Sequence, residues 1–231
     1  MGIAGLADSR CASNRRPTVG VRLSGRRDIV NRSTVTDAAI GLALADGFDA
    51  LVQLNTIVGR GSASASIGLS GSLLSADAGF ATGTGTFRNN EVSAAGVGIG
   101  LAYWGGLVLT NNVHDNGTGV IIDDNAGAEV RSNVIRHNVG SGLVAPVIGS
   151  HSLGRGGLIT SNQVRDNGQD GIAIFGCALR CFPASSEFRL ERNTALGNGR
   201  WDCFDDGSGT NVWNANIGVK DSPNVCAKPY W

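Results

Sequence analysis

A single frame, apolar-x-x-Asn-x-apolar, returns along the chain as Val52/Asn55/Ile57, Phe87/Asn90/Val92, Val108/Asn111/Val113, Val130/Asn133/Ile135, Ile159/Asn162/Val164 and Leu190/Asn193/Ala195. A degenerate copy with Ser33 in the Asn position precedes them, and Trp213/Asn216 offers a last one. From Ser33 onward the framing positions are 22, 35, 21, 22, 29, 31 and 23 residues apart, a base period near 22 with insertions. Two further marks keep the same register. Asn116, Asn138, Asn167 and Asn198 each follow a framing Asn by five residues, and a Gly followed by an apolar residue comes eight or nine positions after it, at Gly98-Ile99, Gly119-Val120, Gly142-Leu143 and Gly171-Ile172.

Repeats this short cannot bury a core alone. Their alternating apolar and β-branched residues read as strands, and the Asn/Gly clusters between them as turns. Stacked coil on coil at about 4.8 Å, they would enclose a continuous interior of Val, Ile and Leu. The framing Asn then has a physical role, because identical amides on successive coils can bond one another and the backbone groups turned inward at a bend. A leucine-rich repeat of similar period would show Leu-x-x-Leu-x-Leu, which is missing. The expected architecture is an all-β parallel β-helix of about seven or eight coils over residues 27–218. Residues 1–26 are expected to cap it or to be partly disordered, and residues 199–231 to close its C-terminal end.

Composition agrees and excludes several functions. Glycine is abundant, 35 residues against 5 prolines, which suits many tight turns. Nineteen basic residues balance nineteen acidic ones and are scattered, so the footprint of a nucleic-acid binder is missing. No apolar run approaches the roughly 20 residues that cross a bilayer, so no membrane insertion is expected. The opening MGIAGLADSRCASNRR lacks the charged-then-apolar order of a signal peptide, so an export signal is expected upstream. Four of the five cysteines, Cys177, Cys181, Cys203 and Cys226, fall late in the chain. Read as two disulfides they imply an oxidising, extracellular setting; metal binding or free thiols are the alternatives, and Cys11 has no assigned role.

Together these residues resemble the right-handed parallel β-helix, pectate-lyase-like superfamily, and within it secreted bacterial proteins built of generic β-helix repeats, over roughly residues 28–218. The resemblance implies that the Asp202-Cys203 pair and Cys226 staple the last coil. It implies little about chemistry, since lyases, hydrolases, epimerases and structural proteins share the scaffold.

Function on such a scaffold is expected where coils exceed the minimum. The distance from the Gly of one coil to the next framing Asn is 13 or 14 residues at Gly98–Asn111 and Gly119–Asn133, but 22 at Gly68–Asn90, 20 at Gly142–Asn162 and 22 at Gly171–Asn193. The insertions therefore leave one corner. Between them, two short coils are expected to expose Tyr103 and Trp104, which would stack on sugar faces, and Asp123 and Asp124, which would act as acid, base or ion ligand. Arg131 would balance the acidic pair, and His151 and Arg155 lie in a flanking loop. Asp123, Asp124 and Arg131 are thus the catalytic candidates and Tyr103, Trp104, His151 and Arg155 the substrate-binding ones, for a polysaccharide in a groove. The carboxylates would admit calcium, though no calcium motif accompanies them, and no other cofactor or metal is expected. A lyase would need Arg131 or Arg155 as base, since the lysines, Lys220 and Lys228, lie in the tail. A hydrolase is disfavoured because adjacent Asp123 and Asp124 point to opposite sides of a strand. The competing expectation is a non-catalytic structural, glycan-binding or partner-binding module.

Elsewhere, His114, Arg136 and Arg165 should form one column and Asp115, His137 and Asp166 the next, placing His137 between two carboxylates. Outward positions Ala43, Gly100, Ile121, Val144 and Ala173 are apolar and suggest a covering segment or partner, whereas Arg88, Arg131, Thr160 and Glu191 mark a polar strand.

Overall fold

The computed structural model describes residues 19–24, 27–45, 49–72, 84–102, 104–123, 127–146, 156–175, 188–206, 210–222 and 225–229. They form three parallel sheets of nine, eight and seven strands, and each coil contributes one strand to each sheet in turn. One coil shows the plan: Val97–Ala102 lies in the first sheet, Leu107–Leu109 in the second and Asn112–His114 in the third. The next coil repeats it in register, Ile99 opposite Val120, Val108 opposite Val130 and Val113 opposite Ile135. The first strand, Val19–Leu23, already pairs in the first sheet, so the solenoid begins ahead of the expected residue 27.

The two apolar positions of the sequence frame are the inward residues of the second and third sheets. Phe87, Val108, Val130, Ile159 and Leu190 on one side, and Val92, Val113, Ile135, Val164 and Ala195 on the other, are fully buried. The first sheet closes the triangle with Leu69, Ile99, Val120, Leu143 and Ile172. Each such aliphatic side chain contributes about 1.5–3 kcal/mol through burial, and the stacking supplies the burial that one coil lacks.

The framing asparagines stand at the corner between the second and third sheets and form an unbroken ladder. Asn111 donates through its backbone N–H and through Nδ2 to Asn133 Oδ1, at 2.8 and 3.0 Å, and Nδ2 also donates to the Phe87 carbonyl at 3.0 Å. Each interior amide, from Asn90 to Asn193, thus fills its two acceptor and two donor sites, which a buried amide requires. The residue before each rung turns the chain in the left-handed region, with φ between 52° and 57° at Leu54, Asn89, Thr110, Ser132, Ser161 and Arg192. That conformation is unfavourable for non-glycine residues, above all the β-branched Thr110, and it persists because the ladder bonds require the bend.

A second ladder, not foreseen as one, runs along the corner between the third and first sheets through Asn116, Asn138, Asn167 and Asn198. It too follows a left-handed residue, Asp115, His137 or Asp166. The glycine column lies just beyond. A Cβ on Gly98 would stand 2.5 Å from Val113 Cγ1 and 2.6 Å from the Gly119 carbonyl, so only glycine lets this corner close on the core. Near the same corner the carboxylate of Asp170, 1% exposed, is neutralised by the fork of Arg200, whose Nε lies 2.7 Å from Oδ1. That hydrogen bond raises the Arg200 pKa above its ordinary value, against the opposing effect of burial.

Candidate functional site

The long insertions all join a strand of the first sheet to a strand of the second, as the spacing predicts: residues 73–83, 147–155 and 176–187 each follow a first-sheet strand and precede a second-sheet one. Beside this corner lies a shallow depression of about 250 Å³. It crosses four coils, from Asp49 past Thr84, Thr86 and Leu107 to Glu129, over a floor that includes Gly85, Gly105, Gly106 and Gly127. With strands stacked at about 4.8 Å, the four coils span roughly 14 Å along the solenoid axis.

One glycine of the floor, Gly106, follows from the residue beneath it. Trp104 was expected at the surface; instead it is 1% exposed, with its indole stacked on Phe87 at 5.2 Å between ring centroids. A Cβ on Gly106 would stand 2.5 Å from Trp104 Cη2, and one on Gly71 would stand 3.0 Å from the same ring. The chain turns here by folding its largest side chain into the core and keeping glycine on both sides of it. Trp104 is therefore unavailable to stack on a sugar. Among the described residues its Nε1 is buried with no hydrogen-bond partner, a cost that the area buried by the ring offsets.

The other candidates separate. Asp123 ends the strand Thr118–Asp123, on the outward row of the first sheet and opposite Ala102 of the preceding coil. Arg131 stands outward on the second sheet, beyond the turn. Its ion pair is with Glu129, at 3.1 Å. The corner sets this outcome, because Glu129 and Arg131 are two apart on one strand and share its outer face, whereas Asp123 belongs to a different sheet. Tyr103, Asp124, His151, Arg155, Cys177 and Cys181 lie outside the described residues. Cys203 and Cys226 form a disulfide that ties the last first-sheet coil to the tail.

The outward row Arg88, Leu109, Arg131, Thr160 and Glu191 of the second sheet is polar apart from Leu109. The matching row of the first sheet carries Arg22 and Ser70 on either side of Ala43 and is apolar from Gly100 through Ile121 and Val144 to Ala173; Ala43 and Ala173 in it are buried.

On the third sheet, His114, Arg136 and Arg165 occupy one outward row in consecutive coils. The histidine held between carboxylates is His114 rather than His137. His114 Nδ1 lies 2.6 Å from Asp115 Oδ2, and Nε2 meets Glu91 Oε1. Glu91 is itself bound by Asn112 Nδ2 at 3.0 and 2.9 Å. His137 contacts Arg136 Nη1 at 2.9 Å through Nδ1 and approaches Asp166 at 3.8 Å. The left-handed turn at Asp115 directs its carboxylate back to the adjacent His114, which column spacing alone does not reveal. No group of three or more His, Cys, Asp or Glu suited to a metal occurs among the described residues.

Three parallel sheets and two buried amide ladders define a right-handed parallel β-helix. The chain belongs to the right handed beta helix region family, whose model matches residues 19–221. No curated protein and no solved structure gives a significant match.

Proposed function

We propose that this protein is an exported β-helix that binds polysaccharide along the depression beside its insertion corner, without cleaving it. The observation that carries this reading is the depression itself, which crosses four coils at the corner where every long insertion arises. Carboxylates at Asp49 and Glu129 and hydroxyls at Thr84 and Thr86 suit the hydroxyl groups of an extended glycan, and the glycine floor lets the chain approach the backbone closely. Glu129 is oriented by Arg131. Asp123 and Arg131 stand on different sheets, which favours binding over catalysis, because an acid–base pair must share one reacting atom. The Cys203–Cys226 disulfide favours an oxidising compartment.

A second reading, a surface that docks a protein partner, is favoured by the apolar outer row of the first sheet at Gly100, Ile121 and Val144.

Neutral polysaccharides titrated calorimetrically, with parallel assay of new reducing ends, test the groove. Binding should vanish in Thr86→Trp, which fills the depression, and weaken about fivefold to tenfold in Glu129→Gln, as expected for one charged hydrogen bond. Binding unchanged in Thr86→Trp would overturn the reading, and released ends would restore an enzymatic one.

A further inference from the structure

We propose that the outer face of the third sheet is a separate oxyanion site for acidic polysaccharide, with Arg136 and Arg165 as its cationic pair. The two arginines are direct partners on neighbouring parallel strands. Like charges opposed in this way cost stability, so an uncompensated pair calls for an anion.

The protein supplies little compensation. Glu91 and Asp115 are the carboxylates nearest in the preceding coils, and both are taken by His114, with Asn112 adding two contacts to Glu91. Asp166 lies 3.6 Å from Arg165 Nη1 and is shared with His137. Arg136 is left, among the described residues, with one side-chain partner, the imidazole Nδ1 of His137 at 2.9 Å. A guanidinium only donates, so that nitrogen accepts, and the remaining N–H groups of Arg136 have no protein acceptor among the described residues. The His137 contact orients the guanidinium without neutralising it.

Two such forks one coil apart, about 4.8 Å, suit the carboxylates or sulfates of a linear polymer lying along the solenoid, because Arg binds either group through paired N–H donors. The charged row is short, bounded by Ser93 and Leu196, and the whole chain carries no net charge. Nucleic acid, which draws on a broad basic surface, fits this poorly. The site lies on a different sheet from the depression and does not depend on it.

The test titrates the full chain with polygalacturonate, heparin, dextran and duplex DNA. Polygalacturonate or heparin should bind and dextran should not compete; which polymer binds distinguishes a carboxylate from a sulfate ligand. The double variant Arg136→Gln/Arg165→Gln should lose at least tenfold in affinity for the acidic polymer and show a shallower salt dependence. Its thermal midpoint should be unchanged or raised. Arg189→Gln, an exposed arginine of the second sheet, should bind the acidic polymer as the parent does. Undiminished binding by the double variant, an equal loss in Arg189→Gln, a clear fall in the double variant's thermal midpoint, or binding of DNA alone would each overturn the proposal.

Discussion

Asp202 Oδ1 accepts both the backbone N–H and Nδ2 of Asn198, four residues earlier, at 3.0 and 2.9 Å, whereas the Asn116, Asn138 and Asn167 rungs each reach a residue in the next coil. Every amide in this ladder points its N–H toward the C-terminal end, so the stacked dipoles leave their positive end there. A carboxylate, with no hydrogen to pass on, terminates the series where its charge is best placed. Its second oxygen takes the N–H groups of Val219 and Lys220, both at 3.0 Å, which brings the tail across the last coil.

Asp202→Ala should therefore destabilise the chain by about 3 kcal/mol or more, because four donors lose their acceptor at once. Asp202→Asn should cost less, since it keeps one acceptor for Asn198. Guanidinium denaturation midpoints of the two variants check the order; equal midpoints for Asp202→Ala and the parent would refute the capping role.

Within the first ladder, Asn133→Asp should be at least as damaging as Asn133→Ala. Asn133 Nδ2 donates to the Val108 carbonyl at 3.0 Å and to Asn162 Oδ1 at 2.9 Å, and a carboxylate there faces two acceptors with nothing to donate. Each change should cost about 2–4 kcal/mol, measured by thermal and chemical unfolding.

The glycine column yields a paired comparison. Gly98→Ala should destabilise by about 1–3 kcal/mol, since the new methyl meets Val113 and the Gly119 carbonyl inside a packed corner. Gly100→Ala should be neutral or slightly stabilising, because its nearest neighbour would be Ile67 Cγ2 at an ordinary 3.4 Å. Calorimetric midpoints that fall alike for both would show that the column is not a steric requirement.

Trp104→Ala should remove about 3–5 kcal/mol by emptying the space against Phe87. Trp104→Phe should cost far less, because it keeps most of the stacking and deletes a buried N–H that has no partner among the described residues. A Phe variant as unstable as the Ala variant would contradict this placement.

Opening the Cys203–Cys226 bridge, whose ends are 23 residues apart, should lower stability by about 3 kcal/mol, the expected effect of releasing a loop of that length. Unfolding midpoints with and without reductant, compared with those of Cys203→Ala, measure it.

The architecture was legible because a solenoid is nearly one-dimensional: contacts between coils are contacts between residues one period apart, so register in sequence becomes register in space. Val113 opposite Ile135, Asn111 bonded to Asn133, and His114, Arg136 and Arg165 in one row all follow from counting. The three longest insertions fell at one corner for the same reason, while the shorter one at residues 59–66 sits at the corner between the third and first sheets. The second ladder carried its own signal, Asn at a fixed offset of five from the frame, yet spacing does not say that those side chains turn inward.

What only the tertiary structure decided lies at the corners, where the chain leaves the strand alternation that assigns each side chain a face. There Trp104 folded into the core, because Gly71 and Gly106 leave room for its ring. At Asp115 a left-handed turn brought the carboxylate to His114 rather than His137, and beyond Asp123 the change of sheet left Arg131 to pair with Glu129. The sequence by itself determined the coil, its period and its core, since period-two alternation and a repeated amide admit one stacking. The direction of each side chain at a bend depends on local dihedrals and on the space left by neighbouring coils, and those exist only once the coils are stacked.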